Sequence, residues 1–189
     1  MSKAQTGKTQ TGKTQTAKAQ AAKVPATKAQ TTKAQAVKAK TGKARMSKAE
    51  TGEKIFAAHN CAQAVIGAYA EDYGLDKGKA LSVAVGFGAG MSRLQETCGA
   101  VTGAIMVLGL ASGFKEGDSR EKVNHTYKKV RSFVEDFTAE FGTVNCRKLL
   151  GCNLLTDEGQ SFFVKNNLKD KCCGYVKYSC EHLDKYLAE

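Results

Sequence analysis

The residues of this chain with the widest chemistry open to them are its seven cysteines, Cys61, Cys98, Cys146, Cys152, Cys172, Cys173 and Cys180. A thiol that ionises becomes a nucleophile, a redox centre or a ligand for soft metals. Spacing narrows the choice. There is no CxxC pair, and zinc-ribbon and bacterial ferredoxin spacings are absent. A CxxCH site is missing too, so no covalent haem is expected. Seven thiols in a chain whose N-terminus lacks an apolar signal core point to metal binding or thiol redox chemistry rather than a disulfide framework. The plain alternative for any one of them, Cys152 and Cys180 above all, is packing as a small hydrophobe.

Cys98 stands apart because it directly precedes an apolar, glycine-rich run, Gly99-Ala100-Val101-Thr102-Gly103-Ala104-Ile105-Met106-Val107-Leu108-Gly109-Leu110. Glycine costs a helix about 1 kcal/mol relative to alanine, so each needs a reason. Gly99 and Gly103 are four apart on one helix face, where they let another backbone or a bound group come close. A thiol in the first helical turn also feels the positive end of the macrodipole, which favours thiolate. Cys172, placed by the sequence at the start of the last helix, has the same expectation. Gly86-x-Gly88-x-Gly90 followed by Arg93 invites a phosphate-cradle reading. No Walker lysine follows and no strand precedes it, and a turn that joins two helices is the simpler reading. Gly99, Gly103 and Arg93 are the candidate cofactor-binding residues. His59 and His182 each lie two residues from a cysteine, about 200° away round a helix, which suits core or solvated histidines better than shared ligation. Neither a Ser/His/Asp arrangement nor HExxH is present, so hydrolysis has no support.

The elements that must position these thiols read as helices. Apolar residues from Ile55 to Tyr69 recur at helical spacing, which predicts a helix over about 53–73 ending at Gly74. A shorter helix is expected over 77–85, then a glycine loop. Thr97 is placed to cap a helix from Cys98 to about Ala111. Asp118 or Ser119 opens a long amphipathic helix to Phe141, stopped by Gly142. Short helices are expected at 145–150 and from Asp157, and a last one from Cys172 or Cys173 to about Tyr186. No window alternates with period two for long. The fold expected for residues 53–189 is all-α: a single compact bundle of about five to seven helices around one core.

Residues 1–52 are of another kind. Lysines fall at every fifth position from Lys3 to Lys48, among Thr, Gln, Ala and Gly. Residues 1–50 hold eleven lysines, one arginine and one acid, Glu50, while residues 51–189 balance 17 basic against 17 acidic residues. The whole net charge of +11 therefore lies in this segment. Such a composition buries too little apolar surface to fold, so a disordered basic tail is expected. Its lysines can meet phosphates one by one, which makes non-specific contact with nucleic acid or another polyanion through residues 1–50 an expectation, with a solubilising repeat as the alternative. The longest uncharged stretch, Thr97 to Phe114, is too short to span a bilayer, and a cytoplasmic protein is expected.

Taken in order, the stretches Asn60-Cys61-Ala62-Gln63-Ala64-Val65, Gly86-Phe87-Gly88-Ala89-Gly90-Met91-Ser92-Arg93 and Cys98-Gly99-Ala100-Val101-Thr102-Gly103-Ala104 resemble a four-cysteine family of redox-active proteins named for its C…CGAxxG…C…C pattern. Phe141-Gly142, the run Cys146-Arg147-Lys148-Leu149-Leu150-Gly151, and Cys172 with Tyr175-Val176 continue the resemblance. It implies that the family's four cysteines are Cys61, Cys98, Cys146 and Cys172, the last chosen over Cys173 by the Tyr-Val pair that follows. It implies thiol-based redox or metal-cluster chemistry, in an oxidoreductase if the protein is an enzyme, with a redox partner still to be identified. Two versions stay open. In one, Cys98 is a low-pKa thiolate cycling through a disulfide with Cys61 or Cys146. In the other, the four cysteines hold an iron–sulfur cluster or another soft metal. A non-catalytic protein tethered to a polyanion by its tail, its cysteines merely packed, is the third.

Overall fold

A computed structural model describes residues 46–188. The tail expectations, disorder and polyanion contact, fall almost wholly on residues 1–45 and lie outside the described residues. Helices α1 (Lys48–Phe56), α2 (Cys61–Tyr69), α3 (Lys77–Ala84), α4 (Gly88–Met91) and α5 (Gly99–Ala111) are followed by α6 (Arg120–Phe141), α7 (Cys146–Leu150), α8 (Asp157–Lys165) and α9 (Leu168–Leu187). Seven of them run eight residues or more, and no strand occurs among the described residues, only one isolated bridge between Thr97 and Asn145. The expected all-α bundle is what these residues form. No described helix is long and apolar enough to cross a membrane.

Helix α2 is the hub. All nine of its residues are buried, as an apolar sequence with no polar stripe requires, and α1, α3, α5 and α9 pack around it. The single helix expected over 53–73 is divided, and the cause is local. Asn60 caps α2 by accepting the Gln63 N–H while the Gln63 side chain accepts the Asn60 N–H, a capping box that restarts the chain in a new direction. Helix α1 starts earlier than expected, at Lys48, behind a Ser47–Glu50 capping box. The last lysine of the five-residue register is thereby drawn into the fold. Its ammonium donates to the Ala68 carbonyl at 2.7 Å, pairs with Asp72 and sits 4.8 Å over the Tyr69 ring. Tyr69 in turn donates to the Cys180 carbonyl at 2.6 Å, tying α2 to α9.

Helix α6 buries Phe133 and Phe137 against this core, and Phe137, Phe141, Tyr175 and Tyr178 form an aromatic cluster where it meets α9. Ser119 caps α6 and Gly142, in the left-handed region, closes it, both as the sequence predicts. Helix α9 differs: it begins at Leu168, so Cys172 lies in its second turn and not at its N-terminus.

Candidate functional site

Three helices begin at a cysteine. Cys61 is the first residue of α2, Cys98 caps α5, and Cys146 is the first residue of α7. Their meeting is built by backbone. The Thr97–Asn145 bridge lays residues 95–98 against 144–147, with Cys98 N–H on the Val144 carbonyl at 2.8 Å and Cys146 N–H on the Glu96 carbonyl at 2.7 Å. That pairing sets the start of α5 beside the start of α7. Glycines then bring α5 onto α2. A Cβ at Gly99 would lie 2.3 Å from Cys61 Sγ, and one at Gly103 would lie 2.8 Å from the Ala62 carbonyl oxygen. The two glycines singled out in the sequence therefore serve helix contact, and the space a side chain would need is filled by α2.

The result is one cavity of about 140 Å³ with Cys61, Cys98, Cys146 and Cys172 all on its wall, the rest of the lining being mainly apolar side chains, among them Leu150, Leu154, Phe163 and Tyr175. Cys61, Cys98 and Cys146 are only 5–8% exposed. Sulfurs separated by up to 111 positions in the sequence are thus gathered into a single apolar chamber.

Within it the thiols are not equivalent. Cys61 is drawn down to about 6, first by the hydrogen bond from the Cys98 thiol, against the opposing effect of burial, and further by the N–H groups of Ala89, Ala62 and Cys61 itself. Cys98 is pushed well above its ordinary value because it keeps the proton it donates to Cys61 and is itself buried. The two titrate as a unit, one proton shared between two sulfurs. The sequence reading gave the thiolate to Cys98; the N–H groups at the start of α2 and that of Ala89 favour it on Cys61. A residue at the first helical position collects more free N–H groups than one at the cap, and Cys98 accepts only that of Ala100. Burial pushes Cys146 up to about 12 and does the same to Cys172, whose place in the second turn of α9 denies it the helix-terminal field.

The Ala89 donor comes from an unusual segment. Ala89, Gly90, Met91, Ser92 and Arg93 all have positive φ, between 51° and 69°, although only one of them is glycine. A left-handed turn of L-residues costs about 1–2 kcal/mol per residue, so it stands only where its surroundings fix it. Gly88 admits the Asn60 side chain, a Cβ at Gly90 would lie 2.8 Å from Cys146 Cβ, and Ser92 donates to the Gly86 carbonyl at 3.0 Å. The glycine run is therefore the turn that closes α2 against α7. Arg93 is exposed on it and does not line the cavity.

Asn60, Ala89 and Tyr175 line the cavity and were not singled out from sequence. The Asn60-x-x-Gln63 box was a readable signal for the first; a left-handed alanine has none. His59 is exposed, and His182 stacks on Tyr178 with ring centroids 3.7 Å apart, so neither histidine joins the thiols. Cys180 is buried against Gly52, and Cys173 faces Glu53 at 3.8 Å. Among the described residues no three His, Cys, Asp or Glu side chains converge closely enough to hold a metal ion. The four cysteines line one cavity.

No curated protein and no solved structure matches this chain. A family model does, over residues 59–186, a span that contains all seven cysteines and every residue of the cavity lining except Phe56. That match and the four-cysteine chamber agree with the resemblance carried by the sequence motifs, and the chain belongs to the family described as "Putative redox-active protein (C_GCAxxG_C_C)".

Proposed function

We propose that the protein is a two-electron thiol redox protein whose working unit is the Cys61–Cys98 pair. The observation that carries this reading is geometric: Cys61 and Cys98 stand at adjoining helix starts on the wall of one apolar chamber, and Gly99 lets α5 come directly against Cys61 Sγ. An acid–base pair of sulfurs in contact is the reduced form of a disulfide. On oxidation the S–S bond forms, the Cys98 S–H bond breaks, one proton is released, and two electrons pass to an oxidised disulfide or comparable acceptor. Apolar walls around the pair keep water and stray oxidants away, and Cys146 and Cys172 stay protonated beside it.

The test is a set of single Cys→Ser variants of the full chain exposed to a small oxidant, hydrogen peroxide, with free thiols counted before and after. Wild type, Cys146→Ser and Cys172→Ser should each lose two thiols. Cys61→Ser and Cys98→Ser should lose none in the cavity, and equal losses in all five proteins would overturn the assignment.

A second reading is favoured by one feature, that four cysteines line the same cavity. Four thiolates are the number an iron–sulfur cluster takes, and a cluster spaces its ligands around itself. In that reading Cys61, Cys98, Cys146 and Cys172 are the ligands. Iron and acid-labile sulfide in stoichiometric amount after anaerobic purification would decide for it, and their absence with a reversible Cys61–Cys98 disulfide would decide against it.

A further inference from the structure

The redox pair is sealed. Cys61 and Cys98 are 8% and 5% exposed, and a disulfide larger than a few atoms has no direct approach to them through a chamber of about 140 Å³. A thiol nearer solvent is needed to carry exchange across the chamber wall. Cys172 lines the chamber, but burial pushes its thiol up to about 12; Cys152 lies just behind the wall. It is half-buried and packs against the small cluster of Cys146, Leu150, Leu154 and Leu168 that walls the chamber on one side, next to Cys172.

Its backbone is held there with some care. The buried Gln95 side chain donates to the Cys152 carbonyl at 2.9 Å and accepts the Leu154 N–H at 2.8 Å, while the Gln95 carbonyl accepts the Arg147 N–H at 3.1 Å. The same segment around Gln95 therefore fixes the start of α7, where Cys146 sits, and the loop that carries Cys152. Gly151 in the left-handed region turns the chain back after α7, so residues six apart in sequence share one cluster. Cys152 and Cys146 also lie within electrostatic reach of each other, as do Cys146 and Cys61.

The other two cysteines beyond the four do not share this place. Cys173 points from α9 to Glu53, outside the cluster that holds Cys146, and Cys180 is wholly enclosed against Gly52.

Resting on the Cys61–Cys98 reading, we propose that Cys152 is the outer thiol of a disulfide relay that passes oxidising equivalents from a low-molecular-weight disulfide, through Cys146, to the buried pair. The sulfur chemistry balances. Cys152 as thiolate attacks the disulfide RSSR, forming Cys152–SR and releasing RS⁻. Cys146 then attacks Cys152 Sγ, its proton passing to the departing group as RSH, and a Cys146–Cys152 disulfide results. The Cys61 thiolate attacks Cys146 Sγ and returns Cys152 as thiolate. Cys98 finally attacks Cys61 Sγ, its proton goes to Cys146, and the Cys61–Cys98 disulfide is complete. Net, one RSSR becomes RS⁻ and RSH, and the pair loses two electrons and one proton.

Glutathione disulfide, a bulky oxidant, and hydrogen peroxide, a small one, separate the routes in full-length wild type, Cys152→Ser and Cys173→Ser proteins. The readout is the rate at which the Cys61–Cys98 disulfide appears, mapped by peptide mass. With glutathione disulfide, Cys152→Ser should slow by about tenfold or more, because the accessible thiolate that starts the exchange is gone. With hydrogen peroxide it should match wild type, and Cys173→Ser should match wild type with both. In Cys146→Ser, glutathione should accumulate on the Cys152 peptide. Equal rates for Cys152→Ser and wild type with glutathione disulfide would overturn the relay and leave the pair intact. Failure of wild type to form the Cys61–Cys98 disulfide with either oxidant would overturn the pair and the relay together.

Discussion

Helix α5 offers a controlled experiment on how the chamber is built, because its glycines stand in different surroundings. A Cβ at Gly99 would meet Cys61 Sγ at 2.3 Å, the Phe87 carbonyl oxygen at 3.0 Å and the Ala62 nitrogen at 3.1 Å. The sulfur is the end of a side chain and can turn aside; the two backbone atoms cannot, so α5 must move off α2. Overpacking of this kind costs about 1–3 kcal/mol. Helix propensity returns at most about 1 kcal/mol for Gly→Ala. Gly99→Ala should therefore destabilise by about 1–2 kcal/mol. At Gly109, in the same helix, nothing lies within 4 Å of the added methyl. There the propensity gain stands alone, and Gly109→Ala should stabilise by up to about 1 kcal/mol. The two variants should differ by about 2–3 kcal/mol, roughly a 1 M separation of urea midpoints for a domain of this size. The assay is urea unfolding of the fully reduced proteins followed by far-ultraviolet circular dichroism, with Gly103→Ala expected on the destabilised side. Equal midpoints for Gly99→Ala and Gly109→Ala would refute the claim that glycine brings α5 onto α2 at the redox pair.

Other outcomes follow from the same geometry. The Cys61 pKa falls from its ordinary value near 9.0 to about 6, so its thiolate contributes stability that is fully present above pH 9 and is lost as pH falls toward 6. Unfolding free energy of the reduced protein should rise with pH across that window, and Cys61→Ser should flatten the rise. Above pH 9 the upward-shifted Cys146, Cys172 and Cys180 act in the opposite sense and stability should decline. Met91→Gly should raise the melting temperature, since a left-handed residue loses about 1 kcal/mol of strain when its Cβ is removed; a fall would show that the turn is not strained. Asn60→Ala removes the cap of α2 and should cost about 1–2 kcal/mol in urea unfolding.

Much of the fold was legible because its signals are local. Ser119, Gly142 and Gly151 mark helix ends by their own backbone chemistry; α3, α6 and α7 begin and end, and α8 begins, close to where the sequence places them. The misplacements differ in cause: the break before α2 comes from the Asn60–Gln63 capping box, which the sequence carried. Helix α9 starts four residues before Cys172 because Asn167 adopts φ 49° and turns the chain there, a conformation that tertiary packing selects and a single sequence does not announce. At the site, the identities of Cys61, Cys98, Cys146 and Cys172 could be read from motif order, and Gly99 and Gly103 from their spacing. Which cysteine holds the thiolate could not, because that depends on the Ala89 N–H, delivered by a left-handed turn, and on which of two adjoining sulfurs donates. The glycine run forms the turn that was the simpler reading of it, packing Asn60 and Cys146, and Arg93, a cofactor-binding candidate from the sequence, faces solvent there.

The central claim, that Cys61 and Cys98 form the redox unit, is tested most directly by equilibrating the full-length protein in buffers of graded dithiol-to-disulfide ratio and mapping every cysteine by mass. The account predicts one two-electron transition, about 30 mV per tenfold change in ratio, in which free thiols fall from seven to five and both losses map to the Cys61 and Cys98 peptides. A transition whose lost thiols map to any other pair, or no transition while all seven cysteines stay reduced, would contradict it.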